Sequence, residues 1–456
     1  MPTRRTLLAL SGALVAGGLA GCLDRGPTPG AGSPTAPDVR ANVPRASGDV
    51  PAGDFDALVA GNAAFACDLL AELRGEEPNA NLFVSPYSVS VALAMTWAGA
   101  RGETERQMAE ALRFELDQNA LHPAFNALDR ALESGDAGDA GDDGGAGADA
   151  TDDGGEGGTP FRLETANALW GLADYPYREP FLETLAAYYG AGMHTVDFVG
   201  DPEGARTRIN DWVSARTGGK IPELFSEGSF DRWTRLVLTN AVYFRATWAE
   251  AFDPDVTADA PFTALGGSSS DVPTMRQSER FPYAEVDGVQ VVELPYVGGE
   301  VGMVVVLPPA GAFEAFEGSL DGSRLRALFE ALAEAEGTVA LPRFTYRSSF
   351  SLPGTLRALG MPVAFDRRRA DFGGMVDLEA AGENVYVDDV VHEAFVAVDE
   401  AGTEAAAATG VEMGATSAPM DPFEMTVDRP FYFAIRHRET DAVLFLGRVV
   451  DAAAAQ

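Results

Sequence analysis

The chain has 456 residues, of which 46% are hydrophobic, and its 69 acidic side chains against 33 basic ones give a formal net charge of -36. The hydrophobic share can supply a sizeable core, which excludes a disordered acidic chain. The charge repels phosphate backbones and anionic headgroups, which excludes nucleic acid as a partner.

In chain order, Thr3 to Leu8 reads T-R-R-T-L-L, and an apolar stretch leads to Leu19-Ala20-Gly21-Cys22. This pattern reads as a twin-arginine export signal over 1–22 that ends in a lipobox, with Cys22 as the lipidated residue. The apolar part is too short to span a bilayer comfortably, and one acyl chain binds only marginally, so a stable anchor needs two. The expected location is the outer face of the cell membrane, with no other membrane contact. Residues 23–53 are rich in Pro, Gly, Ser and Ala and read as a flexible tether. The folded body is expected over 54–451. Cys67 lies in the apolar run Ala63 to Leu70 and reads as a small buried hydrophobe, so no disulfide framework forms.

Helical and strand periods alternate through the body. Val89, Leu93 and Trp97 recur at helical spacing after Ser85-Pro86, and Leu121 to Leu132 and Arg206 to Arg216 predict two more helices. Between them, 134–159 is almost wholly Gly, Asp and Ala and cannot bury apolar surface. Gly144 to Ala150 matches the start of a calcium-binding repeat but has no second copy, so a solvated surface insertion is the better reading. Val289 to Tyr296 and Val301 to Leu307 predict a hairpin through Gly298-Gly299. Near the end, Phe431, Phe433 and Ile435 alternate with small or polar residues, and Val443 to Val450 follows a turn at Thr440-Asp441. Helices gather toward the N-terminal half and strands toward the C-terminal half, which predicts an α+β architecture.

Catalysis has no carrier in this sequence. The histidines are His122, His194, His392 and His437, and no H-E-x-x-H, G-x-S-x-G or C-x-x-C spacing occurs. The expectation is a protein that is not an enzyme, with no metal and no cofactor.

Several segments do carry a resemblance. Asn81 to Ser88 reads N-L-F-V-S-P-Y-S; Asn240 to Phe244 reads N-A-V-Y-F and leads to Trp248; Leu341 to Phe344 reads L-P-R-F; Val390 to Ala394 reads V-V-H-E-A. Asp399 to Thr409 reads D-E-A-G-T-E-A-A-A-A-T, and Pro430-Phe431 and Leu444 to Val449 follow. In this order they resemble the serpin family, the first as the start of its second helix. Ala246, where many members carry glycine, and the Gly/Asp insertion are the departures. The arginine-rich basic set, with Lys220 the only lysine, and the export signal are similar to those of exported lipoproteins of halophilic archaea.

The resemblance implies a serpin fold: helices on a large mixed sheet plus smaller sheets, with hinge and exposed reactive loop over 400–428. It implies an inhibitor that a serine protease cleaves as a suicide substrate, the cut loop then entering the sheet as a new strand. In the family's register Thr403, Ala405, Ala407 and Thr409 face the core, Glu404 faces out, Ala406 and Ala408 complete the small-residue run, and Gly402 lets the backbone bend. Ser85, Ser88, Asn240 and His392 match the polar cluster beneath the sheet's opening region. Arg343 and Glu400, with Trp248, match the pair at its top. Counting forward from Glu400 by the family's spacing puts the scissile bond between Thr416 and Ser417; counting back from Pro430 lands near Pro419-Met420, and Met413 competes. Ala401 to Val427 holds no Arg or Lys, so the partner is an extracellular protease of subtilisin-like or elastase-like specificity, met by a monomer. The competing reading is a non-inhibitory relative that acts as a binding or chaperone protein.

Overall fold

The computed structural model describes residues 37–136, 161–403 and 422–456. Helices α1 (Ala52–Glu76), α2 (Pro86–Trp97), α3 (Gly102–Ala111) and α4 (Gln118–Asp136) come first, with strand β1 (Leu82–Val84) among them. Next come β2 (Arg162–Leu172), α5 (Glu179–Tyr189), β3 (Met193–Val196), α6 (Pro202–Arg216) and β4 (Leu236–Thr247). Then follow β5 (Ala258–Thr263), β6 (Ser269–Val286), β7 (Val289–Pro295), β8 (Val301–Leu307), α7 (Phe313–Glu317) and α8 (Gly322–Glu330). The last part holds β9 (Ala333–Pro342), β10 (Phe344–Ser351), α9 (Pro353–Ala358), α10 (Leu378–Ala381), β11 (Val387–Val398), β12 (Gly402–Thr403), β13 (Phe423–Thr426), β14 (Phe431–His437) and β15 (Val443–Val449).

These strands make two sheets. One is six-stranded and mixed, in the order β10-β11-β12-β4-β2-β3. The smaller sheets expected beside it are joined into one nine-stranded sheet, because β6 pairs with β5, β7 and β9. The hairpin of β7 and β8 forms as its pattern predicts, and the chain turns at Gly298 and Gly299, both at positive φ.

Both faces of β4 and β11 are covered, which is why eight of the twelve residues in each are apolar and fall on both faces rather than in strict alternation. On one face, Val242, Phe244, Ala394 and Val396 join the main core, to which α2 contributes a helix buried almost all round. On the other, Val237, Ala241 and Val391 pack under Ile209, Trp212 and Val213 of α6. Ser85 caps α2 by accepting from the Ser88 amide, and Pro86 occupies its first turn. The segment read as the start of that helix is therefore strand first: β1 pairs with β15, and the helix begins only at Pro86.

Part of the stretch assigned to the tether lies against the body. Val39 bridges to Met193, Asp38 meets Arg208 at 2.6 Å, and Arg45 bonds Asn126 at 2.9 Å and Glu133 at 2.6 Å. Backbone pairing and ion pairs do there what a composition poor in large apolar residues leaves undone. The body starts accordingly at Pro37, with α1 from Ala52.

Candidate functional site

The site is a seam. β11 and β4 run parallel and pair directly from Val387 opposite Leu236 to Phe395 opposite Tyr243. Beyond that point the chain leaves β11, turns, and puts β12 between the two strands: Gly402 faces Thr247, and Thr403 faces Ala246 on one side and Val398 on the other. Parallel neighbours are slightly less stable per residue than antiparallel ones. The seam is thus a parallel pairing that a returning strand replaces with antiparallel pairing on both sides.

The turn has strict requirements. The Asp399 carboxylate accepts from the amides of Ala401 at 2.9 Å and Gly402 at 3.2 Å, and Gly402 sits at φ 153°. A Cβ at 402 would stand 2.1 Å from the Ala246 carbonyl oxygen, so only glycine fits. Thr403 is 1% exposed, and its hydroxyl shares a 2.7 Å hydrogen bond with that of Tyr296. Ala246, where many members carry glycine, lies within β4 with its side chain buried.

Arg343, Glu400 and Trp248 meet at this corner. The Arg343 guanidinium donates to Glu400 from Nε at 2.8 Å and also from Nη2, and the Thr257 hydroxyl donates to the same oxygen at 2.5 Å. Burial opposes the Glu400 charge, but these donors outweigh it and hold the carboxyl below its usual range. Trp248 stacks on Tyr296 with centroids 4.5 Å apart, and its indole N–H donates to the Asp399 carbonyl at 2.9 Å. Its amide and that of Phe252 donate to Ala401 and Glu400.

Lower in the seam, the structure brings Ser85, Ser88, Asn240 and His392 together, all buried. His392 and Asn240 are direct partners across β11 and β4. The Ser85 amide donates to His392 Nε2 at 3.1 Å, so the proton sits on Nδ1 and is donated to the Asn240 side-chain oxygen Oδ1. Asn240 Nδ2 donates to Ser88 at 2.8 Å and to Asn167 at 2.7 Å, and the Ser85 hydroxyl donates to the Leu444 carbonyl at 2.7 Å. Burial keeps the imidazole neutral, with its pKa lowered to about 4. His392 is thus a donor–acceptor bridge across the seam with no group to act on.

The remaining histidines are also structural: His122 bonds Tyr189, His194 stacks on Trp170 and His437 bonds Thr440. Among the described residues no group of side chains is placed to hold a metal ion. Ala405, Ala406, Ala407, Ala408, Thr409, Thr416, Ser417 and Cys22 lie outside the described residues, as does most of 134–159. Sequence reading missed Asn167, Tyr296 and Asp399. Asn167 had a signal, an amide inside the apolar strand A-N-A-L-W; Tyr296 and Asp399 look like ordinary strand-end residues.

Comparison with known proteins agrees with this geometry. The sequence model of the family described as Serpin (serine protease inhibitor) matches residues 60–452. An uncharacterised serpin-like protein of Thermococcus kodakarensis is 37% identical, covering 98% of this chain and 99% of that protein. A leukocyte elastase inhibitor of Equus caballus is also 37% identical, over 86% of this chain and 99% of its own. Among solved structures, the thermophilic serpin tengpin in its native state is 26% identical with a TM-score of 0.73, covering 91% of this chain and 97% of its own. Serpin48 of the insect Tenebrio molitor is 28% identical with a TM-score of 0.71, covering 89% and 100%.

Proposed function

The chain belongs to the serpin family, and from that premise we propose that it is an extracellular suicide inhibitor of a serine protease, held at the cell surface by lipid on Cys22. The observation that carries this reading is the seating of Gly402–Thr403 as the first two residues of a strand between β11 and β4. The loop is threaded at the start of its path, and every position below it is a parallel pairing that it can replace.

The protease's serine oxygen attacks the carbonyl carbon of Thr416, the bond to Ser417 nitrogen breaks, and the freed amine takes a proton. The product is an acyl-enzyme with the loop's N-terminal part still joined to β12. Each residue after Thr403 then faces one residue earlier on β4 and on β11. Ala405 and Ala407 fall opposite Phe244 and Val242, facing the core, and Thr409 falls between Asn240 and His392. Small side chains enter without strain. The Thr409 hydroxyl takes over the hydrogen bonds that Asn240 and His392 exchange across the closed seam, so opening strands no buried polar group. Insertion carries the acyl-linked protease down the sheet at about 3.3 Å per residue, before water completes hydrolysis.

The test is incubation with subtilisin-like and elastase-like proteases at molar salt, followed by denaturing electrophoresis and mass spectrometry. A complex surviving denaturation, with a released fragment starting at Ser417, supports the reading. Cleavage with no complex sinks it in favour of the non-inhibitory binding role, and a fragment starting at Gly414 or Met420 moves the scissile bond. Mass spectrometry of the membrane-extracted protein tests the anchor, which requires a diacylated cysteine as the first residue.

A further inference from the structure

We propose that Lys220 is a charge-dependent clasp that holds the seam between β4 and β11 shut and sets how fast the reactive loop enters; this rests on the insertion reading above. The segment after α6 crosses the outer face of the mixed sheet, where Ile221, Leu224 and Phe225 pack with Val237 and Ala241 of β4 and Val391 of β11. This cover spans both sides of the seam, so it is placed to resist parting.

Lys220 is the point at which the cover grips both strands. Its ammonium stands 5.5 Å from the ring centroid of Tyr243 on β4 and 6.0 Å from that of Phe395 on β11. Tyr243 and Phe395 are direct partners, the uppermost pair of the seam before β12 separates the strands. The backbone of Lys220 is fixed as well: its carbonyl accepts from Arg347 Nη2 at 2.8 Å, while Arg347 Nη1 bonds Glu393 at 2.6 Å and the guanidinium lies 5.9 Å from the Phe395 ring. A cation is attracted to an aromatic face only within about 6 Å of its centroid. Neighbouring strands lie about 4.8 Å apart, so a strand entering between β4 and β11 doubles their spacing. One ammonium reaches both rings in the closed sheet and only one in the open sheet. The clasp therefore favours the closed state specifically, unlike a contact that survives opening.

Lys220 is exposed, and it is the only lysine in the chain, so an amine-acylating reagent neutralises one side chain. Lys220→Arg keeps the charge and resists the reagent, and it controls for any reaction at the α-amine.

The test is hydrogen exchange of the uncut full chain at fixed molar salt, followed at the backbone amides of 390–396 and of β14 and β15. The expected result is exchange about fivefold faster at 390–396 in Lys220→Gln and in acylated wild type. The amides of β14 and β15 should not change, and Lys220→Arg should match wild type with or without reagent. Unchanged exchange at 390–396 in Lys220→Gln and in the acylated protein overturns the clasp, and so does equal acceleration in both sheets, which marks a general loss of stability. Acylation is done on folded protein, so the outcome survives a variant that fails to fold. The exchange result is independent of protease: the shift without any covalent complex supports the clasp and sinks the inhibitory reading, while complex formation without the shift sinks the clasp alone.

Discussion

The two sheets both bury most of their central strands and fill them differently. In the nine-stranded sheet every residue of β8, β14 and β15 is buried, and Phe83 of β1 stacks on Phe445 at 4.9 Å and on Phe433 at 5.5 Å. Its buried charges are fixed in pairs: Arg448 with Glu317 at 2.7 Å, and Arg436 with Glu293 at 2.8 Å. On its core face the seam of the six-stranded sheet holds neutral groups instead, His392, Asn240, Ser85 and Ser88, each able to donate and accept, while its buried Glu393 pairs on the outer face with the exposed Arg347. A buried ion pair loses several kcal/mol when one partner leaves. A neutral cluster that meets a new hydroxyl loses little. The contrast lies between the interior of the nine-stranded sheet, built from the first kind of contact, and the core face of the seam proposed to open, built from the second.

The largest effect is expected where a charge is put into the seam. Thr403→Arg places a guanidinium at a 1% exposed position and removes the partner of Tyr296. Covalent complex should fall by about a hundredfold or more while cleavage of the loop continues, because an unpaired buried charge costs several kcal/mol. Gel-resolved partitioning between complex and cleaved inhibitor measures it. Equal trapping by mutant and wild type would break the distinction between the sheets.

The converse change is Arg448→Met, which leaves Glu317 of α7 with the Tyr432 hydroxyl and a more distant Arg74 as its partners and frees the carbonyls of Glu77 and Pro78 that Arg448 caps. Stability should fall by about 3–5 kcal/mol. Denaturant midpoints at fixed salt read this loss. The partitioning of the molecules that remain folded should not change.

The seam was legible in the sequence because its requirements are local. The motifs that hold Ser85, Asn240 and His392 keep their order along the chain, and Gly402 sits where the turn after β11 needs it. Asn167 was missed although it bonds both Ser88 and Asn240, since pairing between β2 and β4 decides which strand faces the cluster and no local period reports it. The nine-stranded sheet was legible only as separate hairpins. Its continuity depends on β6 pairing with β9 through residues some 60 positions apart, as in Ser278 with Thr338. Residues 37–51 were misread for the opposite reason: their composition is that of a tether, and their order comes from partners such as Met193, Arg208 and Glu133 that lie far along the chain.

Acid should weaken the seam through His392. Its pKa is near 6.5 in an unfolded chain and about 4 in the fold. The unfolded state therefore binds the extra proton between these values. The stabilisation is fully present above about pH 6.5 and is lost as pH falls toward 4, by about 3 kcal/mol in all. The other buried histidines and the carboxylates titrate as well, so the measurement is a difference: the stability gap between wild type and His392→Gln should narrow by that amount from pH 7 to pH 4. A constant gap would mean that the imidazole is not held neutral by burial.

The smallest expected effect separates the two states of the seam most sharply. Thr409→Val keeps size and β-propensity and removes one hydroxyl. In the closed sheet His392 donates directly to Asn240, so the uncut variant should unfold at the wild-type midpoint. After the loop is cut and inserted, the register puts position 409 between those two side chains, about one strand spacing from each. Valine there leaves the His392 N–H and the Asn240 side-chain oxygen facing a methyl group, and a buried polar group without a partner costs about 1–3 kcal/mol. The cut form of Thr409→Val should therefore lose about 1–2 kcal/mol relative to cut wild type, seen as a lower thermal midpoint at the same molar salt. Valine at 407, which the same proposed register would put opposite the core residue Val242, should show no such loss from an unpaired polar group. If position 409 proves as indifferent as a neighbouring outward position, the loop does not enter in the register that β12 begins.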